Sequence, residues 1–162
     1  MIILGVDPGT IISGYGVLKK DKQRSVLLDY GFLRLGTKGL PERVSKFHDN
    51  MLHLIQTWHV TDIAIETPFL GKNAQNFLKL GYLRGIIYHL AYSNSITLHE
   101  FSPREVKQSL TGYGGASKEQ VARMLLRLFP GLLMPKKFDV TDALAVSVCG
   151  LWNTKKIISA QK

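Results

Sequence analysis

The apolar residues of this chain change their period once, and that change narrows the folds open to it. Ile2 to Val6 form an unbroken apolar run, the pattern of a strand covered on both faces. Tyr15 and Val17, then Val26, Leu28, Tyr30 and Phe32, sit at alternating positions, which predicts strands over 13–19 and 25–35. The charged segment Lys19–Lys22 between them reads as a hairpin connection. From Leu40 the spacing becomes helical: Val44, Phe47, Met51, Leu54, Ile55 and Trp58 follow, with Pro41 suited to a first turn. A strand over 61–66, a helix over 73–92 and a strand over 96–100 come next. A short helix starts at Ser102-Pro103, Ser117 is placed to cap a helix reaching Phe129, and a last helix covers 138–152. The order β-β-β-α-β-α-β, then helices, is a meander continued by parallel crossovers. It predicts an α/β fold, a mixed five-stranded sheet with helices on both faces. No repeat or linker divides the chain, so one domain is expected over 1–153, followed by a basic tail over 154–162.

A chain of 162 residues suits a single core. No apolar run approaches the ~20 residues of a membrane helix. The apolar opening is stopped by Asp7 and lacks the basic start of a signal peptide. The lone Cys149 rules out an internal disulfide and argues against a cysteine-rich metal site. These features predict a cytoplasmic protein with no membrane partner. The balance of 21 Lys and Arg against 12 Asp and Glu, a net charge of +9, favours polyanionic partners, nucleic acid first. Such charge also occurs on proteins that bind no DNA.

Most acids here stand beside basic residues: Asp21 among lysines, Glu42 by Arg43, Glu105 by Arg104 and Glu119 by Lys118. Those are ordinary solvated charges. Asp7, Glu66, Asp139 and Asp142 differ, because each adjoins core-type sequence with no neighbouring cation. Ionised carboxylates against a core cost several kcal/mol in effective terms unless compensated. Asp139 and Asp142 are three apart and share a helix face. Asp7 and Glu66 each end a strand of the same direction, and adjacent strands would place their tips about 5 Å apart. Four such groups raise each other's pKa. All-oxygen ligation of Mg²⁺ or Mn²⁺ would remove the conflict, and two ions suit phosphodiester hydrolysis. Each acid also has a plainer reading: Asp-Pro-Gly is a turn, Asp139 a possible N-cap, Asp142 a first-turn residue. Glu100, at another strand end, competes on equal terms.

Ordered motifs then carry a resemblance. They are Ile3–Thr10 with Gly14-Tyr15-Gly16, Ala64-Ile65-Glu66 with Phe69, Lys72-Asn73-Ala74, Leu78–Gly81, Arg84-Gly85, Val106-Lys107-Gln108, Gly112–Gly114 with Ala116-Ser117-Lys118, and Asp139–Ala145. Together they resemble the RuvC-type Holliday-junction resolvases of the RNase H-like superfamily, over nearly the whole chain. Val140-Thr141 departs from the small pair common between the last two acids, and Gly150 stands where histidine is frequent.

The resemblance implies a bacterial, magnesium-dependent endodeoxyribonuclease. Its catalytic and metal-binding acids would be Asp7, Glu66, Asp139 and Asp142, with two Mg²⁺ per site and Mn²⁺ as a substitute. It would act as a homodimer that nicks two opposed strands of a four-way junction, in partnership with the RuvA–RuvB branch-migration complex. Phe69 would stack on an unpaired base at the crossover, and Lys107 and Lys118 would contact DNA near the scissile phosphate. Gly81 and Gly85, four apart in the 73–92 helix, imply close packing of that face against either the sheet or a twin helix. The rival readings are an RNase H-like nuclease acting on RNA, a non-catalytic nucleic-acid-binding module of the same fold, and a sugar-kinase or actin-like ATPase. The last needs a longer chain with a second half.

Overall fold

The computed structural model describes residues 1–22, 24–68, 74–133 and 138–153. The elements are β1 (Ile2–Asp7), β2 (Ile12–Asp21), β3 (Arg24–Arg34), α1 (Leu40–Trp58), β4 (Asp62–Glu66), α2 (Ala74–Ser93), β5 (Thr97–Phe101), α3 (Pro103–Thr111), α4 (Lys118–Leu128) and α5 (Phe138–Trp152). The sheet order is β3-β2-β1-β4-β5. The meander strands β1, β2 and β3 pair antiparallel, while β1–β4 and β4–β5 are parallel, so the sheet is mixed as its element order requires. The lysine-rich segment 19–21 is strand rather than connection: Lys19, Lys20 and Asp21 pair with Val26, Ser25 and Arg24. This end of the hairpin is exposed, so it needs no apolar side chains and shows no alternation.

Two cores lie on opposite faces. Leu4, Val6, Val17, Ile63, Ile65 and Leu98 pack under α1 and α2, with Phe47, Met51, Leu83 and Ile87. Ile3, Leu18, Ala64 and Phe101 pack under α3, α4 and α5, with Val106, Leu125, Leu144 and Val148. Ser102 and Ser117 each form a reciprocal cap with Glu105 and Gln120, which sets where α3 and α4 begin.

Helix α5 sits unusually close to the sheet, and three strand glycines make the approach possible. A Cβ on Gly5 would lie 2.4 Å from the Ala143 carbonyl oxygen, and one on Gly14 only 2.0 Å from that of Asp139. One on Gly16 would meet Leu144 at 2.6 Å. In register, Gly5 pairs with Gly16 and Asp7 with Gly14, so these glycines form one patch beside the tip of β1. No helix among the described residues is long and apolar enough to cross a membrane.

Candidate active site

The pleat decides which acids can meet. Side chains alternate faces along a strand. In β1, Ile3 joins the α5-side core and Leu4 and Val6 the α1/α2 core, which directs Asp7 to the α5 side. In β4, Ala64 faces α5 and Ile63 and Ile65 face α1/α2, which directs Glu66 to the α5 side as well. Val6 pairs with Ile65, so the two acids stand one step further along neighbouring parallel strands. The loop leaving Asp7 is held by Ser13, whose hydroxyl donates to the Gly9 carbonyl at 2.8 Å and accepts the Gly9 amide at 3.1 Å. Arg43 of α1 donates to the Thr10 carbonyl at 3.0 Å. From above, α5 presents Asp139 in its first turn and Asp142 one turn on. Asp139 is not the N-cap, since the helix already begins at Phe138.

Electrostatics show that the four acids share one environment. Burial first, then Asp142, Glu66 and Asp139, push the Asp7 carboxyl up to about 7, against an opposing pull from Lys118. Glu66 is pushed to about 7 by burial and by Asp142, with Lys118 and Lys107 opposing. The ammonium of Lys118 donates to Asp142 Oδ2 at 2.6 Å, lies 5.5 Å over the Phe138 ring, and has its own pKa raised chiefly by that hydrogen bond. Lys107 on α3 and Lys118 at the start of α4 therefore both border the acid cluster, although 41 and 52 residues separate them from Glu66 in the chain.

The donor set suits a hard divalent cation: carboxylate oxygens with a surplus of negative charge. Among the described residues, however, no three His, Cys, Asp or Glu side chains already stand as a metal-holding group. At Asp142 the Lys118 ammonium occupies one carboxylate oxygen. The chemistry of the cluster, four carboxylates from three elements facing one another, fits such an ion.

Glu100, the sequence-level competitor, belongs elsewhere. Leu98 of β5 faces the α1/α2 core and Phe101 the α5 core, so Glu100 points to the α1/α2 side, away from Asp7 and Glu66. There it pairs with the buried Arg84 and accepts a hydrogen bond from Tyr88 at 2.5 Å. Arg84 also donates to the Glu66 carbonyl oxygen at 2.5 Å. Sequence reading assigned Arg84 no role; the available signal was a charged residue on the same helical stripe as Leu83, Ile87, Leu90 and Ala91. Phe69, Lys72 and the 154–162 tail lie outside the described residues.

Residues 3–150 match the family described as "Crossover junction endodeoxyribonuclease RuvC". The chain belongs to the RuvC family. A curated RuvC from Chlorobium phaeovibrioides is 44% identical over 153 residues, covering 93% of this chain and 81% of the relative. The Thermus thermophilus RuvC structure is 26% identical, with a TM-score of 0.83 and 94% of each chain covered. A second T. thermophilus RuvC structure, in complex with a Holliday junction substrate, shares the fold with a TM-score of 0.84 at 23% identity. The RuvC relatives are crossover junction endodeoxyribonucleases, and the present chain is one by membership. The fold is thereby RNase H-like, in agreement with the mixed sheet and its two helical layers.

Proposed function

We propose that this RuvC-family enzyme resolves four-way DNA junctions by Mg²⁺-dependent hydrolysis at Asp7, Glu66, Asp139 and Asp142, acting as a homodimer. The observation that carries the reading is the convergence of acids from β1, β4 and α5, where burial first and neighbouring carboxylates second hold Asp7 and Glu66 near 7. Asp7 lies at the centre, since it is coupled to all three others. The four carboxylates would hold the divalent ions, which when bound supply activation of water and stabilisation of the departing oxygen. Each acid must be deprotonated to hold an ion, so Asp7 and Glu66 would give up their protons when one is bound. Lys118 then exchanges Asp142 for the phosphate of the scissile strand, and Lys107 supports the same phosphate from α3. Phe69 stacks on a base at the crossover, a contact worth ~1–3 kcal/mol.

The dimer reading rests on α2. Gly81 and Gly85 do not pack against the sheet: among the described residues nothing lies within 4 Å of a Cβ built on either. Leu78, Tyr82 and Tyr92 are exposed on the same helical face. A twin helix would bury this stripe, and two-fold pairing would give two nicking centres on a two-fold junction. The test is cleavage of labelled four-way junction, linear duplex and RNA–DNA hybrid, with and without Mg²⁺. Junction-selective paired nicks that require the ion are expected. Preference for duplex or hybrid would overturn the substrate, and cleavage in chelator would overturn the metal.

A further inference from the structure

The end of β4 is held from the face opposite the acid cluster. Glu66 lies one residue past Ile65, the last β4 residue paired with β1. On its β5 side, the Thr67 amide donates to the Phe101 carbonyl at 2.8 Å. From α2, Arg84 Nη1 donates to the Glu66 carbonyl at 2.5 Å, while Nη2 donates to Glu100 Oε1 and to the Tyr88 hydroxyl at 3.1 Å. Tyr88 in turn donates to the same Glu100 oxygen. The Arg84 side chain is 8% exposed and that of Glu100 14%.

A buried guanidinium is costly unless a carboxylate compensates it and its donors are filled. Here Glu100 supplies the charge, and the Glu66 carbonyl takes a donor from the other arm of the fork. The planar guanidinium fixes the spacing between those two acceptors, which a single ammonium cannot do. The carbonyl it grips belongs to the residue whose side chain faces the acid cluster on the other side of the sheet. Rotation of the Glu66 peptide would swing that side chain, so gripping the carbonyl sets the direction of the carboxylate.

We propose that Arg84 is a positioning residue for Glu66: its guanidinium, anchored on Glu100 and Tyr88, locks the Glu66 peptide so that the carboxylate meets the divalent ion. This rests on the reading of Glu66 as a metal ligand. Supporting residues of this kind typically alter metal affinity 10–100-fold when lost.

The experiment is Mn²⁺ binding to the full chain, followed by electron paramagnetic resonance and calorimetry without DNA, beside thermal melting. Glu66→Gln must weaken Mn²⁺ binding; if it does not, the ligand reading of Glu66 falls, whatever Arg84 does. Given that loss, the double variant Arg84→Met/Glu100→Leu, which leaves no unpaired buried charge, is expected to bind Mn²⁺ about tenfold more weakly. Leu90→Ala, a cavity in the buried face of α2 away from the clamp, should lower the melting temperature and leave Mn²⁺ affinity within about twofold. Parent-like affinity in the double variant, or an equal loss in Leu90→Ala, overturns the proposal. If the double variant does not fold, Arg84→Lys is read in its place, and parent-like Mn²⁺ affinity there overturns it equally.

Discussion

Replacing Asp7 by asparagine should make the chelated protein more stable at pH 8 while abolishing cleavage. In the folded chain Asp7 is raised from 3.8 to about 7, by burial and then by Asp142, Glu66 and Asp139. Such a displacement corresponds to about 4 kcal/mol of unfavourable ionisation. That is a ceiling, because the neighbouring acids titrate together with Asp7, solvent reaches a half-buried site, and the asparagine amide has its own desolvation cost. A gain of about 1–2 kcal/mol is expected, or roughly 2–8 °C in melting temperature for a chain of this size. The sign follows from linkage. The folded state keeps the Asp7 proton to a higher pH than the unfolded state, so this carboxyl lowers stability as pH rises from about 4 to about 7. The advantage of Asp7→Asn should therefore be small near pH 4–5, grow through that window and be complete by pH 8. Saturating Mg²⁺ should reverse the order, since binding to the folded parent adds stability that the variant lacks. Melting curves of both proteins at pH 5 and pH 8, with EDTA and with Mg²⁺, supply the four comparisons. A variant no more stable than the parent at pH 8 in EDTA would refute the argument that Asp7 is held ionised there against both burial and its neighbours' repulsion.

Removing the counter-charge should act in the opposite direction. Lys118→Ala takes away a group that lowers both Asp7 and Glu66, so the acid limb of the cleavage pH profile should move to higher pH, with about a tenfold lower rate at pH 7 per unit moved; an unmoved limb would separate Lys118 from the acids. Lys107→Ala should weaken junction binding and reduce its salt slope by about 1, measured by binding across ionic strengths. Gly14→Ala would drive a Cβ to 2.0 Å from the Asp139 carbonyl oxygen and should cost about 2 kcal/mol or more, together with Mn²⁺ affinity. Gly81→Ala meets nothing within 4 Å among the described residues. It should raise helix stability by about 0.5–1 kcal/mol yet weaken self-association in sedimentation, and an unweakened dimer would place the interface elsewhere.

Much of this architecture can be read from local pattern. The change from alternating to helical period is a property of neighbouring residues, and it yields the mixed sheet and the helix order. The caps at Ser102 and Ser117 are equally local, and both occur. Errors arose where exposure removes the pattern, as at Lys20 and Asp21, which continue the strand. Elsewhere the choice stayed open, because packing partners cannot be read from composition. Gly81 and Gly85 do not meet the sheet, whereas Gly5, Gly14 and Gly16 carry the close helix approach.

For the acid cluster the division is sharper. Sequence alone singled out Asp7, Glu66, Asp139 and Asp142, because a carboxylate beside core residues with no adjacent cation needs an explanation. It left Glu100 level with them. Tertiary structure separated them through the pleat, which turns Asp7 and Glu66 toward α5 and Glu100 toward Arg84. The same assembly brought Lys118 onto Asp142 and Arg84 onto the Glu66 carbonyl. No local pattern encodes those contacts, since each joins elements whose relative placement depends on which faces the whole sheet buries.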